Sequence, residues 1–114
     1  MIRAIGCRKD DVLLLLLRGH AQFAKPGNDI ICAAASALIY ALAGTLEAME
    51  IPSLRIRLDN GCAQISCQTE SVLINSLFYQ TLIGLAMLEK EYPKNIEVRT
   101  AGFFREDAVK EEIA

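Results

Sequence analysis

The segment Leu54-Arg55-Ile56-Arg57-Leu58 alternates apolar and basic side chains and runs into Asp59-Asn60-Gly61. Strict period-two alternation is the pattern of a strand with one dry face. Asn-Gly is the strongest two-residue signal for a hairpin turn. Folding about that turn pairs Leu58 with Ala63, Ile56 with Ile65 and Leu54 with Cys67, all on one face. Arg55, Arg57, Gln64 and Ser66 fall on the other. One face must therefore pack on a core, while the other meets water or a partner.

The remaining elements follow from the same rules. Ile2-Arg3-Ala4-Ile5 and the six apolar residues from Val12 to Leu17 flank Asp10-Asp11, which reads as two strands joined by a tight acidic turn. The second strand is apolar at every position, as a strand covered on both faces would be. Residues 22–28 hold a Pro-Gly pair and no apolar period, and form a loop. A helix begins after Asn28 or Asp29, either of which can cap it. Its apolar stripe is Ile31, Ala35, Leu38, Leu42, Leu46 and Met49, and Pro52 closes it. A second helix starts near Thr69 to Ser71, with Ile74, Leu77, Phe78, Thr81, Leu82, Leu85 and Leu88 inward, and ends at Tyr92-Pro93. Ile96-Glu97-Val98-Arg99 is a last strand. The order ββαββαβ predicts an α+β fold: one mixed or antiparallel sheet with two long helices on one face. A single domain is expected over 1–101, followed by a charged tail over 102–114.

At 53% hydrophobic, the 114 residues argue against disorder and supply one sizeable core. The net charge of −2 lies wholly beyond residue 100, since residues 1–100 carry ten basic and ten acidic side chains. A phosphate-neutralising basic excess is missing, so direct nucleic-acid binding is not expected. No unbroken apolar run approaches the roughly 18 residues of a membrane span. No signal peptide is read, and a cytoplasmic protein without membrane contact is expected. The four cysteines Cys7, Cys32, Cys62 and Cys67 form no CxxC pair, and His20 is the only histidine. A disulfide framework suits a reducing compartment poorly, and the usual zinc spacing is missing. Neither metal nor cofactor is expected.

His20 ends one strand, and Cys32 lies twelve residues later in the first turn of the next helix. A thiolate is the reactive form of cysteine, and a helix N-terminus stabilises it. A nearby imidazole can take the thiol proton and hand it to a leaving amine. Free N–H groups at the helix start can bind an oxyanion. The plainer alternatives are a small core cysteine and a solvated histidine. Asp29 either orients His20 or caps the helix. Ser36, one turn after Cys32, bonds either to the site or to its own i−4 carbonyl. Cys67 faces inward, Cys62 adjoins the turn and Cys7 lies in a strand.

Gly19-His20-Ala21, followed by Gly27-Asn28-Asp29-Ile30-Ile31-Cys32-Ala33-Ala34-Ala35-Ser36, resembles the signature of the ribosomal-processing cysteine protease family, Prp. Gln80-Thr81-Leu82-Ile83-Gly84-Leu85 and Glu91-Tyr92-Pro93 are similar to its second helix and exit, so the likeness spans about residues 1–100. The resemblance implies an endopeptidase that trims the N-terminal extension of a large-ribosomal-subunit protein. It implies Cys32 as nucleophile and His20 as general base and acid, with Gly19, Asp29 and Ser36 at matching family positions. It further implies a homodimer, a substrate peptide with aromatic residues, and a mobile substrate-binding loop over 22–28 that includes Gln22, Phe23 and Gly27. Gln22 and Phe23 stand where the family commonly has Gly and Tyr, and Pro26 is a further departure. Two other functions share these residues: a non-catalytic ribosome-assembly module binding through the same loop, and a thiol hydrolase or acyl-transfer enzyme with a different substrate.

Overall fold

The computed structural model describes residues 1–25 and 27–103. The strands are β1 (Ile2–Lys9), β2 (Val12–Arg18), β3 (Arg55–Asp59), β4 (Cys62–Gln68) and β5 (Ile96–Ala101). The helices are α1 (Ile30–Ala48), between β2 and β3, and α2 (Val72–Glu91), between β4 and β5. The fold is α+β in the order ββαββαβ, with one five-stranded mixed sheet ordered β3-β4-β2-β1-β5. Only the β1–β5 pair is parallel, and the other three ladders are antiparallel.

Both helices belong to crossovers between strands that run the same way. From β2, α1 leads past β4 to β3; from β4, α2 leads past β2 and β1 to β5. These crossovers start on oppositely directed strands and move in opposite directions along the sheet. A single handedness for both therefore places both helices on one face. The core lies under them. Leu13, Leu15 and Leu17 of β2, Ile2 and Ala4 of β1, and Ile65 and Cys67 of β4 are buried. Against them pack Ile31, Ala35, Ile39, Leu42 and Leu46 of α1, with Ile74, Phe78, Leu82 and Leu85 of α2. Each large apolar side chain so buried contributes about 1.5–3 kcal/mol.

The hairpin register holds for Ile56 with Ile65 and Leu58 with Ala63, but the ladder ends at Arg55 with Ser66. Leu54 does not pair with Cys67; its N–H donates to the Ile51 carbonyl in the preceding turn. Nor is β2 covered on both faces, because Leu14 and Leu16 are only half-buried on the helix-free side. In α1, Ile39 and Ala43 are buried, whereas Leu38 is half-buried and Met49 is the exposed C-cap. Leu38 lies against Gly84 of α2, where an added Cβ would sit 3.0 Å from its methyl carbons. Small size at Gly84 lets the two helices approach closely. By length and apolarity alone each helix could cross a membrane, although neither contains an unbroken apolar run of that length. Core helices pass the same test, and both lay a buried stripe on the sheet.

Past β5, Gly102 turns with φ +82° and Phe103 stacks on Phe78, with centroids 6.2 Å apart. The expected charged tail lies, from residue 104 onward, outside the described residues, as does Pro26.

Candidate active site

Two connections converge at one end of the sheet. Beyond Arg18, Gly19 turns the chain at φ +92°, and an added Cβ would fall 2.3 Å from the Met1 carbonyl oxygen. Only glycine fits that position. Its N–H donates to the Gly61 carbonyl at 2.9 Å, so the end of β2 is tied to the β3–β4 turn. His20 follows, exposed, with its ring against Gly61. Ala21 turns inward and is buried; its carbonyl accepts from Asn95 Nδ2 at 2.9 Å. Its N–H donates to the Sγ of Cys32 at 3.2 Å.

Gln22 adopts φ +56°, a left-handed conformation that glycine takes freely and other residues adopt at a cost of about 1–2 kcal/mol. The N–H of Phe23 donates to Asp29 Oδ2 at 3.1 Å, and its ring meets Tyr92 edge-on at 5.7 Å. The α2–β5 connection thus holds this segment at two points, through Asn95 and Tyr92.

Asp29 is the N-cap of α1. Its Oδ1 accepts from the N–H groups of Ile31 and Cys32 at 3.1 and 3.0 Å. The choice left open by spacing falls to capping, because the partners of this carboxylate are backbone N–H groups and the Cys32 thiol rather than His20. Desolvation pushes the Asp29 carboxyl up, but the N–H groups of Cys32 and Phe23, helped by the Cys32 thiol and the Ala24 N–H, outweigh it. The net result is a pKa below the usual aspartate value. Capping also corrects one expectation. The N–H groups of Ile31, Cys32 and Ala33 are not free for an oxyanion, since the first two bond the cap side chain and the third the Asp29 carbonyl.

Cys32, half-buried, opens onto a cavity of about 410 Å³ that His20 also lines. Gly19, Ser36, Tyr40 and the turn from Leu58 to Ala63 complete the walls, over a floor including Ile2, Leu17, Ala35 and Ile39. Cys32, Ser36 and Tyr40 share this wall because residues four apart share a helix face. Gln22, Phe23 and Gly27 are not among the lining residues. Cys62 lines the cavity, Cys67 is buried with desolvation pushing its thiol up, and Cys7 is half-buried on the helix-free side of the sheet. Among the described residues no three His, Cys, Asp or Glu side chains group as a metal would require. The hairpin turn was legible in the sequence, but its place beside His20 was not. Tyr40, Tyr92 and Asn95 carried no local signal of a role here.

A sequence model of the family described as Cysteine protease Prp matches residues 1–97. The chain belongs to the cysteine protease Prp family. A Prp relative in Mycoplasma pneumoniae, a ribosomal processing cysteine protease, is 35% identical over 85 residues, covering 72% of this chain and 81% of its own. The crystal structure of the ribosomal processing protease Prp from S. aureus, in complex with a covalently linked product peptide, is similar with a TM-score of 0.75 at 27% identity. That match covers 89% of this chain and 100% of the other. A protein from Streptococcus mutans is similar at TM-score 0.65 and 27% identity, over 88% of this chain and 93% of its own. The α+β sheet with two helices is the Prp fold.

Proposed function

We propose that this chain is a cysteine endopeptidase that removes the N-terminal extension of a large-subunit ribosomal protein by a Cys32–His20 dyad. The observation carrying this reading is that Cys32 and His20 line one cavity, with the Ala21 N–H directed at the sulfur. Membership of the Prp family and the ribosomal-processing role named for its relatives supply the substrate class.

The chemistry follows from the two side chains. His20 takes the proton of the Cys32 thiol, and the sulfur attacks the scissile carbonyl. The tetrahedral intermediate collapses as the imidazolium gives its proton to the departing amine, leaving a thioester on Cys32. Water then gives a proton to His20 and adds to the thioester, and the second collapse returns the proton to sulfur and frees the carboxylic acid. The cavity wall formed by Leu58 and Tyr40 offers apolar surface to a substrate side chain. Main-chain hydrogen bonds would hold the peptide extended beside it. Gly19 and Asp29 set the approach and start of the two reacting segments, and Ser36 stands one turn beyond Cys32. Gln22, Phe23 and Gly27 flank the substrate in this reading.

The same reading includes a homodimer in the cytoplasm, where ribosomal proteins are made and thiols stay reduced. Exposed apolar side chains on the helix-free sheet face, Ile5 and Val12, are consistent with a covering partner. Sedimentation velocity checks the dimer. Mass spectrometry of the host's ribosomal proteins, with and without this chain, checks the activity. An N-terminal extension that persists only in its absence is the expected result. Identical ribosomal proteins in both would defeat the peptidase and leave the binding-module and thiol-hydrolase alternatives.

A further inference from the structure

We propose that Gly61, in the β3–β4 turn, is the positioning residue that orients His20 for catalysis. The proposal rests on the dyad reading above and adds a third participant to it. A base in such a site needs something to hold its ring, commonly a carboxylate or amide bonded to the other ring nitrogen. The Asp29 carboxylate does not serve, because its bonds go to backbone N–H groups, among them those of Ile31, Cys32 and Phe23, and to the Cys32 thiol.

Gly61 acts on the ring by leaving it room rather than by bonding it. A Cβ built on it would lie 2.9 Å from His20 Nε2, 3.4 Å from Cε1 and 3.7 Å from Cδ2. The tip of the imidazole thus occupies the space that any side chain at position 61 would take. The Gly61 carbonyl also accepts from the Gly19 N–H at 2.9 Å, fixing the backbone immediately before His20. One residue therefore sets both the root and the tip of the histidine.

This requirement is separable from that of the turn itself. The turn needs φ +76° at position 61, which asparagine tolerates better than other side chains. Contact with His20 needs the absence of a Cβ, which asparagine does not provide. An exposed ring can swing away from a new Cβ at small cost to folding. Swinging it displaces the base from the sulfur, and a shift of about 1 Å can lower a rate by about 100-fold.

The experiment uses the full chain with G61A, G61N and H20A variants and a peptide spanning the N-terminal extension of a large-subunit ribosomal protein. We expect G61N to melt close to the parent while its kcat falls about 10- to 100-fold, with KM changed less than about threefold. Its rate of Cys32 alkylation against pH should move toward that of H20A. Because the chain has a single histidine, NMR reads the contact directly. Nuclear Overhauser effects should join His20 Hε1 and Hδ2 to Gly61 Hα, and a ring-current shift of Gly61 Hα should vanish in H20A. A G61N protein with parental kcat and alkylation profile, or a parent without these Overhauser effects, overturns the proposal. If G61A fails to fold, G61N and the NMR contacts still decide. A parent that cleaves no peptide defeats the peptidase reading alone, since the NMR contacts and alkylation profiles report on His20 independently.

Discussion

The main-chain N–H of Ala21 donates to the Sγ of Cys32 across 3.2 Å, joining residues eleven apart in sequence. Ala21 follows His20 directly, so this bond fixes the segment carrying His20 against the helix carrying Cys32. The sulfur, which lines the cavity, is thereby held by the same stretch of chain that carries the imidazole. Loss of either side chain should remove chemistry without removing the fold.

Accordingly, Cys32→Ser and His20→Ala should each lower peptide cleavage by at least about 10²-fold. Neither belongs to the fully buried core, so melting temperatures should stay within a few degrees of the parent. Cleavage assays beside calorimetry check this. Near-parental turnover by Cys32→Ser would remove the nucleophile assignment.

Asp29 supports both the helix and the segment before it, and its variants should separate the two. Asp29→Ala should cost about 1 kcal/mol through the lost cap. Asp29→Asn keeps Oδ1 as a cap acceptor but replaces the oxygen that accepts from Phe23 with a donor. It should therefore lose activity out of proportion to stability.

The lowered Asp29 pKa fixes a pH dependence. A carboxylate favoured in the folded state stabilises fully above its unfolded pKa of about 3.9, and loses that contribution as pH falls through the lower folded value. The stability gap between parent and Asp29→Ala should be constant from pH 7 to about 5 and shrink below about 4. Urea unfolding at several pH values reads it, and a gap that widened on acidification would reverse the sign.

Brief alkylation at pH 7 followed by peptide mapping should label Cys32 before Cys62 and leave Cys67 last. Cys67 is buried and its thiol is pushed up by desolvation, so both access and ionisation work against it. Cys62 lines the same cavity without a helix start behind it, which makes it the fair control. Equal labelling of Cys62 and Cys32 would mean that exposure alone governs the thiols.

A last expectation concerns the core. A Cβ on Gly6 of β1 would lie 2.5 Å from Leu82 Cδ1, and Leu82 is fully buried. Gly6→Ala should cost about 1–3 kcal/mol by overpacking. Adding Leu82→Ala should recover part of that loss in a double-mutant cycle. Additive costs would show that the two positions do not press on each other.

What the sequence by itself determined is local. Period-two alternation has only two phases, so the faces of Ile56, Ile65 and Cys67 followed once Asn60-Gly61 marked the turn. Asp29 could be read as a cap because an oxygen placed just before a helix bonds the first free N–H groups. The apolar run in β2 showed that Leu13, Leu15 and Leu17 would be buried, but not that Leu14 and Leu16 would be left half-covered. Apolarity drives burial without naming the surface that provides it. The surroundings of His20 were decided by tertiary structure alone. The β2–β4 ladder pairs Arg18 with Cys62 and so carries the Asn60-Gly61 turn to the histidine. The α2 crossover then returns Tyr92 and Asn95 to Phe23 and Ala21, the latter contact spanning 74 residues. Contacts of that range depend on strand order and crossover hand, which no short window of sequence encodes.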